Sequence, residues 1–338
     1  MNRGAGISNW NALASVMALA LMGVSACAKT EEGQTAASVT IRFPQAVSES
    51  HPRMGVIKKF GQRLEQETQG RIKVQSFPGG TLYGAREAVR SATVGDVEMA
   101  LEPETHFITF DDAFRAIDVP FQFDTPESFQ QFTNTTFRNR VEPSLEKAGL
   151  TLIAFWDEGP MIVAGPRLLK TPDDFKGLKV RSSGHELLAQ SFNEMGAATI
   201  NIPIQEVYAA LQQGVAGAIY TTFNTFVSGK TYEVAPKVVR WPARGVYPWV
   251  ANRAFVEKLS EADRTTLRRL ADEATVEYNK LIWGNYDELV KTVKAAQNGE
   301  FYELTSAESD AFKVRLKPLL DRWHAEFASL LPRPGAGS

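Results

Sequence analysis

Beyond residue 38 the apolar positions follow two periods in turn. Every-second-residue alternation predicts strands at Val39–Phe43, Arg71–Ser76 and Val97–Leu101, while three- and four-residue spacing predicts amphipathic helices over about Arg53–Gln69 and Ala85–Thr93. The rhythm resumes with a helix near Glu127–Lys147, then strands at Leu150–Phe155, Met161–Ala164 and Leu178–Arg181. A helix at His185–Glu194, a strand at Thr199–Ile202, a helix at Gln205–Gln213 and a strand at Val246–Ala251 follow. Strands separated by helices predict an α/β fold with mainly parallel sheets covered on both faces. From Glu261 to about Gln297 the helical pattern meets hardly a breaker. It predicts one very long helix, longer than a small domain is wide, that braces more than one domain. A last helix is expected over Ser306–Leu331, with residues 332–338 fraying as a tail.

The amino terminus reads differently. Arg3 supplies a charged start and Leu13–Val24 an apolar run too short to remain in a bilayer, so residues 1–26 are expected to be a signal peptide. Val24-Ser25-Ala26-Cys27 matches a lipobox, in which Cys27 is acylated and becomes the new terminus. Ala26-Cys27-Ala28 also fits ordinary cleavage, and both readings export the chain. Residues 27–38 are small and polar, a tether. Membrane contact is then expected only through a lipid anchor or a partner.

Composition narrows the function. With a net charge of −2 the chain carries no cationic surplus for nucleic acid, and none is expected as a partner. Cys27 is the sole cysteine, which excludes an internal disulfide and a cysteine-rich zinc site. The four histidines, His51, His106, His185 and His324, show no metalloprotease spacing. There is no nucleophile elbow, no P-loop and no dinucleotide fingerprint. Gly79-Gly80-Thr81-Leu82-Tyr83-Gly84 lacks the Lys-Ser/Thr of a nucleotide loop and reads as a turn into a helix. Asp111-Asp112 and Asp173-Asp174 read as helix-start charges. No enzyme, cofactor or metal is expected.

Six segments in order carry a resemblance. They are Arg71-Ile72-Lys73-Val74-Gln75-Ser76-Phe77-Pro78-Gly79-Gly80, Val94-Gly95-Asp96-Val97-Glu98-Met99-Ala100, Asp118-Val119-Pro120-Phe121, Phe175-Lys176-Gly177-Leu178-Lys179-Val180-Arg181, Glu206-Val207-Tyr208-Ala209-Ala210-Leu211-Gln212-Gln213-Gly214-Val215 and Tyr232-Glu233-Val234-Ala235. Together they resemble the substrate-binding subunit of tripartite ATP-independent periplasmic (TRAP) transporters, the dicarboxylate-binding-subunit family. The resemblance implies a two-lobe solute-binding fold with an interlobe cleft that closes on its ligand. It divides the chain into lobe I (residues 39–156 plus about 243–280) and lobe II (157–242 plus about 281–331). It implies a periplasmic protein that delivers a small carboxylate to integral-membrane TRAP subunits; a ligand-sensing lipoprotein that presents its solute to a receptor would use the same cleft.

In that family the arginine ending the Gly-Leu-Lys-Val-Arg strand pairs with the ligand carboxylate, and here it is Arg181. Strand alternation independently turns Arg181 away from Leu178 and Val180, at the carboxyl end where α/β proteins place ligands. A second family arginine is replaced by Met161, which implies a less charged ligand, a monocarboxylate with an aromatic or apolar body. Tyr220, Thr221 and Asn224 are expected in the cleft loop. Ser48, Glu49 and His51 follow the first strand, Tyr83 sits in the glycine-rich turn, Glu102 and Glu104 follow the third strand, and Trp156, Tyr247 and Trp249 complete an aromatic-walled pocket. An acid such as Glu49 or Glu102 beside the ligand would instead favour a zwitterion or a polyol acid.

Overall fold

The computed structural model describes residues 38–123 and 125–331; the leader, Cys27, most of the tether and the tail lie outside the described residues. In chain order the elements are β1 (Val39–Pro44), α1 (Pro52–Glu67), β2 (Ile72–Phe77), α2 (Ala85–Val94), β3 (Met99–Leu101), α3 (Pro126–Phe132), α4 (Arg138–Lys147), β4 (Leu150–Gly165), β5 (Lys179–Ser182) and α5 (Glu186–Glu194). They continue with β6 (Ala198–Asn201), α6 (Val207–Gln212), β7 (Ala218–Thr222), α7 (Phe223–Ser228), β8 (Lys237–Asn252), α8 (Arg253–Lys258), α9 (Glu261–Gly284), α10 (Tyr286–Ala295), β9 (Glu300–Tyr302) and α11 (Ser306–Glu326).

The sheets are mixed, not mainly parallel. β1 and β2 form a parallel pair, and a second sheet runs β3-β8-β4-β7-β5-β6, with β9 also on β8. β4 and β8, 16 residues each, pair antiparallel along their whole length. The sequence reads β4 as two strands because Gly159 and Pro160 signal a break. The structure absorbs both in one irregular strand, with register shifts between Asp157 and Pro160 and between Pro160 and Met161, and Gly159 at φ +79°. β4 pairs with one edge of β8 throughout, so β3 and β9 share the other edge at opposite ends.

The expected long brace is two helices. Gly284, a poor helix former, precedes Asn285, which ends α9 and starts α10. α9 begins where Ser260 Oγ accepts from the Asp263 amide at 3.1 Å. Its Leu267, Leu270, Ala271, Ala274, Tyr278 and Ile282 recur at helical spacing and are buried with Ile57, Phe60 and Leu64 of α1 and with Trp156 and Trp249. Each large apolar side chain buried this way contributes about 1.5–3 kcal/mol. The predicted helix at 127–147 is likewise interrupted, by a π-turn at Thr133–Phe137 between α3 and α4.

Candidate functional site

A cavity of about 390 Å³ lies where the carboxyl ends of β5 and β6 meet the turn after β1, the start of α2 and the segment after β3. Gln205 Nε2 donates to the Ala46 carbonyl (3.1 Å), Ser50 Oγ to the Ser228 carbonyl (3.0 Å) and Thr105 Oγ1 to the Ser183 carbonyl (3.4 Å). These bonds tie segments before residue 106 to segments after residue 182.

Arg181 lines this cavity and is only 3% exposed. β5 lies between β6 and β7, parallel to both. Its Val180 enters the apolar core and the next residue must face the other way. Nε donates to the Ile202 carbonyl at 2.8 Å. Among the described residues no carboxylate lies within ion-pair distance, and Nη1 and Nη2 make no protein hydrogen bond. Burial lowers the Arg181 pKa to about 10, with Tyr247 pulling weakly the other way. The guanidinium therefore stays charged at neutral pH without an internal counter-ion.

A second buried cation, Arg53, stands behind the opposite wall. His51 caps α1 by accepting from the Arg53 amide at 3.2 Å, and Pro52 opens the helix, which turns the Arg53 side chain inward. Glu102 lies 3.8 Å away, Glu158 lies 3.7 Å away, and the guanidinium sits 5.1 Å from the centre of the Tyr247 ring. Burial outweighs Arg53 and holds Glu102 and Glu158 up at about 7. The Ala46 amide donates to Glu102 (3.0 Å) and the Tyr278 hydroxyl to Glu158 (2.8 Å). The three guanidinium nitrogens of Arg53, one oxygen of each glutamate and both amide atoms of Asn224 have no hydrogen-bond partner among the described residues. Of this group Glu102 and Tyr247 reach the cavity wall.

Glu104, Asp118 and His185 form a third buried group, with ligand-type atoms within 4.8 Å of one another. His185 Nδ1 is 2.5 Å from Asp118 Oδ1. That separation is a hydrogen-bond distance between the ring nitrogen and the carboxylate. Burial pushes Glu104 to about 8, His185 draws it down, and Asp118 adds to the rise.

Of the sequence-predicted residues, Arg181, Glu102, Thr221 and Tyr247 stand on the cavity wall. The others do not. Met161 is 2% exposed in the apolar core beside Gly245. Trp156 stacks on Tyr278 at 4.2 Å and donates to Thr275, while Trp249 packs on Phe43, Phe60 and Trp156. Tyr220 faces His185 and Phe192, the opposite side of β7 from Thr221. His51 and Asn224 are buried behind the wall, Glu49 is exposed, and Tyr83 bonds Asp96 at 2.5 Å. Sequence reasoning missed Arg53, Arg86, His106, Ser183, Asn201, Gln205 and Thr225 as wall or near-wall residues. For Ser183, Asn201 and Gln205 the available signal was their place just after parallel strands.

The model of the family described as bacterial extracellular solute-binding protein, family 7, matches residues 43–326. The chain belongs to that family. It is 29% identical over 287 residues to the C4-dicarboxylate-binding periplasmic protein DctP of Rhodobacter capsulatus, covering 84% of this chain and 86% of that one. It is 28% identical over 263 residues to the 2,3-diketo-L-gulonate-binding periplasmic protein YiaO of Escherichia coli, covering 77% and 80%. Among solved structures it is similar to a TRAP periplasmic solute-binding protein of Pseudomonas aeruginosa with bound L-malate, at TM-score 0.79 and 25% identity, covering 84% of this chain and 99% of that one. The sugar acid binding protein DctPAm of Advenella mimigardefordensis with galactonate, at TM-score 0.82 and 19% identity over 87% and 96% of the chains, shares the fold. This family 7 protein thus has the two-lobe TRAP solute-binding fold. Its family is one of periplasmic transport proteins and not an enzyme class.

Proposed function

We propose that this protein captures a small hydroxylated monocarboxylate, of the sugar-acid class, and passes it to TRAP membrane subunits. The observation that carries the proposal is Arg181, a buried charge in a cavity with two donor groups free and no acid of its own. A bidentate carboxylate meets that need, and the low dielectric strengthens the pair. The described wall offers no second cation of this kind: Arg53 is shared by two glutamates and Arg86 is exposed at the rim. A second ligand carboxylate would therefore face Glu102 unneutralised.

The ligand's body is read from the rest of the wall. Of the expected aromatic wall only Tyr247 lines the cavity, while Trp156 and Trp249 are packed elsewhere, which weakens the support for an aromatic or apolar ligand. Glu102, Asn201, Gln205, Thr221 and Thr225 instead offer donors and acceptors for hydroxyls. The relatives named above bind, by their names, C4-dicarboxylates, 2,3-diketo-L-gulonate, L-malate and galactonate, which share a carboxylate. We take lobe I as residues 39–156 with about 243–280 and lobe II as 157–242 with about 281–331, and Cys27 as the acylated terminus that tethers the protein in the periplasm.

The test is a thermal-shift panel of D-gluconate, D-galactonate, D-glucuronate, D-erythronate, L-malate, succinate and benzoate. Stabilisation by the hydroxylated monocarboxylates above the dicarboxylates and benzoate supports the proposal. A response confined to dicarboxylates or benzoate overturns the ligand class, and silence across the panel from folded protein overturns carboxylate binding. Micromolar affinity, about −8 kcal/mol, would suit capture followed by release.

A further inference from the structure

Ser183 stands on the cavity wall in the turn between β5 and α5, two residues beyond Arg181, followed by Gly184 at φ +102°. Its Oγ lies 3.0 Å from His185 Nε2. On the far side of that imidazole, Nδ1 lies 2.5 Å from Asp118 Oδ1 and 3.4 Å from Glu104 Oε1. The serine main chain is held too, because its carbonyl accepts from Thr105 Oγ1. A row therefore runs from a buried acid pair, through an imidazole, to a hydroxyl at the edge of the ligand space.

The carboxylate contact fixes one proton on Nδ1, so the state of Nε2 decides what Ser183 offers. In a neutral ring Nε2 accepts, the serine hydroxyl donates to it, and only lone pairs face the cavity. In a charged ring Nε2–H donates to Oγ, and the hydroxyl hydrogen must turn outward into the open cavity. Two acids surround the ring, Asp118 and Glu104, against two bases farther off, Arg181 and His106, with the Tyr220 ring edge-on and its centre 5.2 Å from that of the imidazole. Burial disfavours the charged ring, but Asp118 and Glu104 outweigh it and raise the His185 pKa. The order Ser-His-Asp at a strand-turn-helix also resembles a hydrolytic triad. Asp118 at 2.5 Å favours the charged ring, however, and a charged imidazole cannot take up a serine proton, so the row is poorly set up as the general base that hydrolysis needs.

We propose that Ser183 donates a hydrogen bond to the bound anion, its proton turned into the cavity by His185 with Asp118 and Glu104 behind it. The carboxylate class comes from the function proposed above; what is added is the rule for the atom next to it. A hydroxyl that presents hydrogen accepts an oxygen acceptor and repels an ammonium. The site therefore takes 2-hydroxy and 2-oxo acids and rejects 2-amino acids. Ser183 is the contacting group, and His185, Asp118 and Glu104 are positioning residues.

Calorimetry tests this with D-gluconate, D-galactonate, D-erythronate and serine as probes, on the wild type, Ser183→Ala, Ser183→Cys and His185→Gln, from pH 5.5 to 9. Glu102 titrates on the same wall at about 7, so the series is repeated in a Glu102→Gln background. For the best-bound hydroxy acid, Ser183→Ala should weaken binding about fivefold or more, the loss of one hydrogen bond to the oxygen beside the carboxylate. Ser183→Cys, similar in shape with a weak donor, should fall between. Affinity in the Glu102→Gln protein should decline as pH rises through the raised His185 value, and that slope should flatten in Ser183→Ala and His185→Gln, leaving only what Glu104 and Glu158 contribute. Serine should not bind the wild type. Binding by a folded Ser183→Ala within twofold of the wild type, or an unchanged pH slope in that variant, overturns the relay alone. Failure of all the hydroxy acids on the wild type overturns the proposed ligand class first, and the relay with it.

Discussion

Replacing Arg181 by methionine should leave the empty protein as stable as before, or more so, while abolishing its response to ligand. The guanidinium is charged at neutral pH in both the folded and the unfolded chain, because pH 7 lies below both its ordinary value and its buried value of about 10. The whole difference therefore counts against the folded state. Lowering from 12.5 to about 10 corresponds to roughly 3 kcal/mol at 1.36 kcal/mol for each pH unit. Methionine removes that penalty at similar length, but it leaves the Ile202 carbonyl without its donor, a cost of about 1–3 kcal/mol. The net change runs from about zero to a gain of about 2 kcal/mol. Ligand at 100 times Kd should add about 2.7 kcal/mol to the wild type and nothing to the variant. Urea or thermal denaturation, with and without the best panel ligand, should thus show the two proteins level or reversed when empty and the wild type ahead when loaded. A ligand-induced shift that survives in Arg181→Met refutes the reasoning. So does an empty variant destabilised by more than about 3 kcal/mol, because the charge would then be paired inside the protein.

The buried acids set a pH dependence. Glu102 and Glu158 titrate at about 7 and Glu104 at about 8, while burial holds His51 and His106 below the ordinary histidine value of 6.5, so it is between about pH 6.5 and 8, where those imidazoles are neutral in both states, that the folded state binds more protons than the unfolded one. Stability of the empty protein should therefore fall as pH rises through that window, and Glu102→Gln should flatten the slope; stability rising from about pH 6.5 to 8 would contradict it. Trp156→Ala should cost about 3–5 kcal/mol in chemical denaturation, since it opens a hole against Tyr278, Trp249 and Thr275, yet leave ligand affinity within about threefold. Gly159→Ala should destabilise by about 1–2 kcal/mol, because a side chain is placed at φ +79° in the β4 irregularity. Cys27→Ala should move the protein from the detergent phase to the aqueous phase in a phase-separation assay; an unchanged partition removes the acyl anchor.

The sequence exposed the α/β alternation and the inward place of Arg181, because each rests on a local signal: period, or the position at the end of a short parallel strand. It misread β4, where Gly159 and Pro160 carry the usual marks of a loop but are held in the sheet by pairing to β8. It also joined α9 to α10, since a Gly-Asn pair ends a helix only when packing directs the chain away. The pocket walls were less legible for a physical reason. On β7 both faces are covered, one by the core and one by the cavity, so Tyr220 and Thr221 are equally buried and spacing does not tell which meets ligand. Trp156 and Trp249 have the composition of a binding wall but complete an aromatic cluster with Phe43, Phe60 and Tyr278. Arg53 shows the reverse. A charged residue in the first turn of an amphipathic helix reads as surface, and only the fold brings Glu102 and Glu158 around it.

The central claim is that a ligand carboxylate completes the charge of Arg181. The most direct measurement is a crystal structure of the protein with the best-bound acid of the panel. The account predicts both carboxylate oxygens about 2.7–2.9 Å from Arg181 Nη1 and Nη2, with Nε still on the Ile202 carbonyl. A carboxylate seated elsewhere, with Arg181 paired to an acid of the protein or turned to bulk solvent, would contradict it.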